Sequence, residues 1–276
     1  MRKLTSAAVL AGAALLATPA LAQDNDDWTG FYVGGQLGYG FQSGGNNETI
    51  LFDTNLDGTF GDTVNTAAPA NAFSPGFCSE AANGPTPADG CDGDRDGFEG
   101  GVHAGFDFQA GEGFVIGAVV DYNRTRQRDS VSAFSTTPAR YTMTRQLRDL
   151  FTMRLRAGVA SGRTLFYGTG GLAYGKIRNS FTTSNGANSF TDNGNEGGWG
   201  YTFGGGVEHR LSSNFSIGLQ YLYRSVDAGD YRVRAGPGTA GPTNPFLIVN
   251  PNGTDFARSR DNFNSHGVHL TGSFRF

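Results

Sequence analysis

The residues that could do chemistry fall into four groups, and the first is acidic. DTNLDG places Asp53, Asn55 and Asp57 ahead of Gly58, and DGDRDG places Asp92, Asp94 and Asp96 ahead of Gly97. Oxygen donors at alternate positions followed by glycine form the first half of a calcium loop. The second half is missing, because the twelfth positions are Val64 and His103 where a glutamate is needed. Turn-forming Asp, Asn and Gly account for the same pattern. Calcium therefore stands as a weaker expectation beside ordinary turns, and no other cofactor is expected.

Cys78 and Cys91 are the only cysteines. In an exported chain they are expected to pair and close a loop of near 15 residues. The histidines at 103, 209, 266 and 269 show no HExxH spacing, and no GxSxG occurs. No enzyme is expected.

A third group lies on segments of strict alternation. Arg154 and Arg156 alternate with Met153 and Leu155; Asp107, Asp121, Glu99, Glu208, Arg210 and Arg224 occupy comparable positions elsewhere. Opposite charges on one face could form an ion-paired plug, line a narrow channel or supply an acid–base pair. The plug is the expected state. Finally, Arg124, Arg126 and Arg128 continue the parity of Tyr122 past its apolar run, and Arg145 does the same on the next segment. Outward arginines at such a rim could meet the phosphates of lipopolysaccharide; a solvated hairpin is the plainer alternative.

The elements that must position these groups are strands. TGFYVGGQLGYGFQ sets Phe31, Val33, Leu37, Tyr39 and Phe41 against Tyr32, Gly34, Gln36 and Gly38. GFEGGVHAGFDFQ, FVIGAVVDYN, LFTMRLRAGVA, WGYTFGGGVEHRL, FSIGLQYLYR and the C-terminal GVHLTGSFRF alternate in the same way. LFYGTGGLAYGKI is extended, but its two faces are too alike to assign. Segments of this length suit tilted transmembrane strands of roughly 9–11 residues.

A soluble sandwich would also alternate, so the connections decide. AGEG, ASGR and LSSN are short, whereas the other connections are long, the first covering about residues 43–96. Short and long connections alternate strictly, so all short turns lie at one end. That requires an all-β, eight-stranded, antiparallel up-and-down transmembrane β-barrel, with four long extracellular loops and three short periplasmic turns. Inward glycines at 34, 38, 101, 105, 204 and 206 are expected to make room in a narrow lumen for large polar side chains.

Compartment follows from the N-terminus. Arg2 and Lys3, an apolar stretch from Leu4 to Ala17, and Ala20-Leu21-Ala22 describe a signal peptide over residues 1–22, leaving 23–276 as the barrel domain. The chain carries a formal charge of −4 with 43 glycines and 22 phenylalanines. An acidic balance gives no nucleic-acid signal, and no later run of apolar residues is long enough for a membrane helix. Lys176 is the single lysine beyond the signal peptide.

NDDWTGFYVGGQLGYG, LRDLFTMRLRAGVASGRTLFYGTGGLAYG and the terminal GSFRF resemble the small outer-membrane β-barrel proteins of alphaproteobacteria. These are OmpA-like barrels often labelled "porin family" or outer-membrane surface antigens. The resemblance implies a monomeric barrel, integral to the outer membrane, that braces the envelope and displays its loops. Some relatives bind hemin or act as adhesins. Loop positions Tyr231 and His266 are candidates for the former, and an external partner is implied but not named. Phe274 and Phe276, at the third-last and last positions, resemble the signal read by the outer-membrane assembly machinery. No trailing peptidoglycan-binding domain is expected.

Overall fold

A computed structural model describes residues 27–42, 47–194 and 196–276. Eight long strands close on themselves: β1 (Gly30–Gln42), β2 (Gly97–Ala110), β3 (Phe114–Arg124), β4 (Ala139–Ser161), β5 (Thr164–Thr183), β6 (Glu196–Arg210), β7 (Phe215–Asp227) and β8 (Asn262–Arg275). Each pairs antiparallel with its neighbours in sequence, and β8 returns to β1 with Tyr32 opposite Arg275 and Tyr39 opposite Val268. Closure leaves no unpaired edge among these strands, as a lipid environment demands. The expected signal peptide, residues 1–22, lies outside the described residues.

Tight turns join β2 to β3, β4 to β5 and β6 to β7. Gly111 and Gly162 take φ of 65° and 55° there, a region that side chains with a Cβ rarely adopt. Above these turns the alternation is realised as drawn from the sequence. Phe31, Leu37, Phe98, Val120, Leu155, Phe203, Leu219 and Leu270 are exposed on the outer wall, while Tyr32, Gln36, Asp121, Arg154, Thr202 and His269 are buried in the lumen. The outer wall carries phenylalanine near the turns (Phe31, Phe106, Phe108, Phe166, Phe215, Phe274) and Tyr or Trp farther up (Tyr39, Tyr122, Tyr174, Trp199, Tyr201). Rings with a polar tip suit the membrane–water boundary.

The fifth strand now has a direction. Phe166 and Leu172 point out; Leu165, Tyr167, Thr169 and Ala173 point in. Its faces read alike because part of the lumen is itself apolar. Leu150, Ala173 and Val226 form a buried layer inside the barrel, and Leu147, Ile177, Ala228 and Phe263 form another.

The described parts of the long connections are folded. β4 and β5 run to 23 and 20 residues, well beyond what a bilayer needs. The strand Arg128–Ser135 pairs with the upper half of β4, and Gly76–Cys78 adds to its edge. Facing them is a four-stranded sheet of 189–192, 232–236, 254–258 and 50–53, in that order. Apolar side chains fill the space between: Val131, Ala133, Tyr141 and Met143 from one side, Ile50, Phe52, Val233, Ala235 and Phe256 from the other. Phe73 stacks on Phe52 with ring centroids 4.4 Å apart. Burying each such ring or aliphatic side chain stabilises by about 1.5–3 kcal/mol, so the loops make a second hydrophobic core, a cap over the barrel.

One irregularity connects barrel and cap. Between β4 and β5 the register runs Asp149↔Lys176 and then Leu147↔Ile177, which leaves Arg148 as an extra residue. A bulge of one residue moves every later side chain to the opposite face. Below it Phe151 and Met153 point outward; above it the odd positions Leu147, Arg145, Met143 and Tyr141 are buried. The expectation that Arg145 sits at the outer rim is therefore corrected: the residue is turned inward into the cap.

Candidate functional site

All eight charged residues assigned to the lumen are buried there: Glu99, Asp107, Asp121, Arg154, Arg156, Glu208, Arg210 and Arg224. Strand register explains the pairing. Asp107 and Arg156 both lie opposite Gly117 of β3, on either side of it. Glycine leaves the two side chains free to meet across that strand, and Arg156 grips Asp107 through Nε and Nη2 while its Nη1 reaches Glu208 at 3.0 Å. Arg154 Nη2 lies 2.6 Å from Asp121 Oδ2, diagonally across the β3–β4 pair. Arg224 makes a two-bond fork with Glu99, each bond 2.9 Å. Planar guanidinium forks suit such carboxylates because one cation can satisfy two acceptors.

Several partners escaped the sequence reading. Arg275 Nη2 lies 2.8 Å from Asp107 Oδ2, and its Nη1 donates to the Trp28 carbonyl. His269 Nε2 is 2.6 Å from Glu99. The Arg156 guanidinium lies between the rings of Tyr32 and Tyr167, 4.7 and 5.0 Å from their centroids. Tyr32, His269 and Arg275 all have lumen parity, so alternation was the signal that could have found them. Tyr167 lies on the strand whose faces could not be told apart. Trp28 is fully buried below the network, and Arg210 lies 4.6 Å over its ring.

The glycines work as expected by allowing close approach. A Cβ at Gly105 would collide with the Tyr32 hydroxyl, one at Gly38 with the His269 ring, and one at Gly206 with the Tyr167 hydroxyl. A lumenal cavity lined by residues including Tyr32, His103, Arg154 and Glu208 measures about 20 Å³, room for about one water molecule.

A second ionic cluster ties the cap down. Arg258 binds Glu48 through Nε and Nη2, each 2.7 Å from a carboxylate oxygen, and reaches Asp129 Oδ1 at 2.8 Å. Arg145 Nε donates to Asp129 Oδ2 at 2.6 Å. Burial alone would raise the Asp129 carboxyl, but Arg258 and Arg145 hold it below the usual range. Asp94, beside this cluster, is pushed up to about 7 by burial and then by the Asp129 charge, against the hydrogen bond it accepts from the Ser130 amide.

The oxygens of the two acidic segments proposed for calcium are engaged within the protein. Asp53 accepts from the amides of Leu56, Asp57 and Gly58, Asn55 from Asp57, and Asp57 from Thr59, so the first set caps its own turn. In the second set, Asp92 turns to Asn83, Asp94 to Ser130 and Asp96 to Gln42. No group of three potential ligands converges among the described residues. Cys78 and Cys91 form a disulfide at the edge of the cap. Tyr231 is buried in the cap core, and His266 lies on the outer barrel wall, stacked on Phe41 and bonded to Tyr221, so neither is an exposed loop position. Arg124, Arg126 and Arg128 are exposed as expected. Phe274 and Phe276 are exposed beside the closing seam, where the Phe276 amide donates to the Phe31 carbonyl.

The outer membrane protein beta-barrel domain model matches residues 8–276. A 31 kDa outer-membrane immunogenic protein of Brucella melitensis biotype 1 is 34% identical over 131 residues, covering 47% of this chain and 54% of that protein. A 22 kDa outer membrane protein of Rhizobium leguminosarum bv. viciae is 36% identical over 84 residues, 30% of this chain and 36% of that protein. The chain thus spans about half the length, or less, of these relatives. Among solved structures, the outer membrane protein OprG of Pseudomonas aeruginosa aligns over 92% of this chain and 99% of its own, at 12% identity and a TM-score of 0.43.

Proposed function

Because this chain belongs to the outer-membrane β-barrel protein family, we propose that it serves the envelope as a plugged barrel. It spans the outer membrane without conducting and holds a folded cap outside the cell for contact with an external partner. The observation that carries this reading is the lumen. Its four carboxylates are each paired with arginine, Trp28 is fully buried at the short-turn end, and the cavity between Tyr32, His103, Arg154 and Glu208 has room for about one water molecule. A solute pathway would need a continuous wet channel through these layers. No catalytic step forms part of the proposal.

The outward role is supported by the cap surface. Phe77, Ile248 and Val249 are exposed there although a folded core lies directly beneath them. Ile248 and Val249, adjacent in sequence, offer apolar side chains that an external partner could cover. The Brucella melitensis relative is described as immunogenic, which agrees with outward display in that protein. Planar-bilayer recording of the refolded protein tests the plug: silence is expected, and steady unitary currents would replace this reading with a narrow porin.

A further inference from the structure

We infer that the outer wall carries a binding site for a phosphorylated lipid of the outer leaflet, built on β3, β4 and β5. Its headgroup part is a notch of about 460 Å³ lined by Arg124, Arg148, Asp149, Lys176 and Arg178. The register places Arg124, Asp149 and Lys176 in one row across the three strands. Arg178 stands two residues above Lys176 on the same exposed face, and Arg148 comes from the bulge. The single acidic member, Asp149, accepts a hydrogen bond from the Tyr122 hydroxyl at 2.7 Å. The notch therefore holds four cations against one carboxylate that is already engaged. It also contains Lys176, the lone lysine beyond the expected signal peptide.

Two further observations identify a lipid rather than a soluble anion. The notch lies directly above the belt of Tyr122, Phe151 and Tyr174, the level at which lipid headgroups meet the wall. Beneath it the same strands present a groove with an apolar lining, deepened where the outward residues are small: Ala118, Ala157, Gly168 and Gly170 between Phe106, Ile116 and Leu155. A second apolar concavity, lined by Val120, Met153, Leu172 and Trp199 among others, fills the height between groove and notch. Cations over an apolar channel complement a phosphate over acyl chains. Guanidinium and ammonium groups hold phosphate oxygens by charge-assisted hydrogen bonds, and the channel accepts the chains that follow. The ligand class is the phosphorylated glycolipid of the outer leaflet, of the lipid A type. The bulge serves both ends of the molecule: it turns Arg145 inward to hold the cap and supplies Arg148 to the notch.

The test uses the full-length refolded protein in phosphatidylcholine nanodiscs. Bisphosphorylated lipid A is titrated against lipid A stripped of its phosphates, with bound lipid counted by native mass spectrometry. We expect the phosphorylated form to bind about tenfold more tightly or better. The variant Arg124→Gln/Arg148→Gln/Lys176→Gln/Arg178→Gln should lose that preference. Heat-dependent gel mobility reports separately whether the variant is a folded barrel, so loss of fold is not mistaken for loss of binding. Equal affinity of the wild-type protein for both lipids overturns the inference whatever the variant does. So does a folded variant that keeps the preference, and so does full displacement by millimolar inorganic phosphate, which would make the notch a site for a free anion.

Discussion

Arg145 Nε lies 2.6 Å from Asp129 Oδ2 inside the cap, although Arg145 has the sequence parity of Phe151, which faces lipid. The one residue responsible is Arg148, which enters β4 without a partner opposite on β5. Deleting Arg148 should restore unbroken alternation and turn Arg145 out of the cluster. The buried Asp129 would lose one of its two cations and keep Arg258. We expect the cap to become sensitive to protease while the barrel keeps its heat-dependent gel shift. Unaltered protease resistance would remove the bulge from its place between cap and barrel.

Arg154 tests the lumen. Its guanidinium and the Asp121 carboxylate are both almost fully buried, so Arg154→Ala leaves an anion without its cation. The expected loss is about 3–5 kcal/mol of barrel stability, read from urea unfolding in detergent by the shift of the midpoint. A midpoint equal to wild type would show that Asp121 needs no guanidinium.

Asp94 gives the cap a pH dependence of known sign. Its carboxyl is raised from 3.8 to about 7 in the folded state, so between those values the folded cap binds more protons than the unfolded chain. Stability contributed here is greatest below about pH 4, falls as pH rises and levels off above about pH 7. Asp94→Asn keeps an acceptor for the Ser130 amide and removes the titration. Protease resistance of the cap, measured from pH 4 to 8, should fall less steeply in the variant (roughly this window). The Asp129 carboxyl, held low, works in the opposite direction only at more acidic pH. An identical slope in both proteins would place the titration elsewhere.

Phe276 is more than half exposed and lies beside Phe274, with centroids 5.2 Å apart. Removing it deletes one backbone bond to Phe31 and a side chain that is 62% exposed. We expect the shortened protein, refolded in detergent, to unfold near the wild-type midpoint, within about 1 kcal/mol. Its yield in the outer-membrane fraction of expressing cells should fall severalfold. A normal yield would take the terminal phenylalanine out of assembly.

Alternation and the lengths of the connections were enough to establish the barrel, its strand number and, for every strand but the fifth, which face meets lipid. In a closed sheet with a period of two, each side chain has only two possible directions, and the short turns admit one order of strands. The same parity placed the charges of Glu99, Asp107, Asp121, Arg154, Arg156, Glu208 and Arg224 in one tube. It could not say that Arg156 would share Asp107 with Arg275, because that contact closes across the seam between the two ends of the chain.

The cap was legible only in fragments. ILFD, RVRAG and TDFAR are too short to stand out from loops, and their partners lie far away in sequence, as with Phe52 opposite Phe256. The hairpin that turns between Ser135 and Ala139, with Val131 and Met143 paired across it, is likewise seen only in the structure. What sequence alone determined is everything governed by local period: strands, facing, turns and compartment. Tertiary structure decided the rest. A single unpaired residue at Arg148 reverses facing without leaving any local trace, and the pairing of buried charges depends on which strands the closed ring brings side by side.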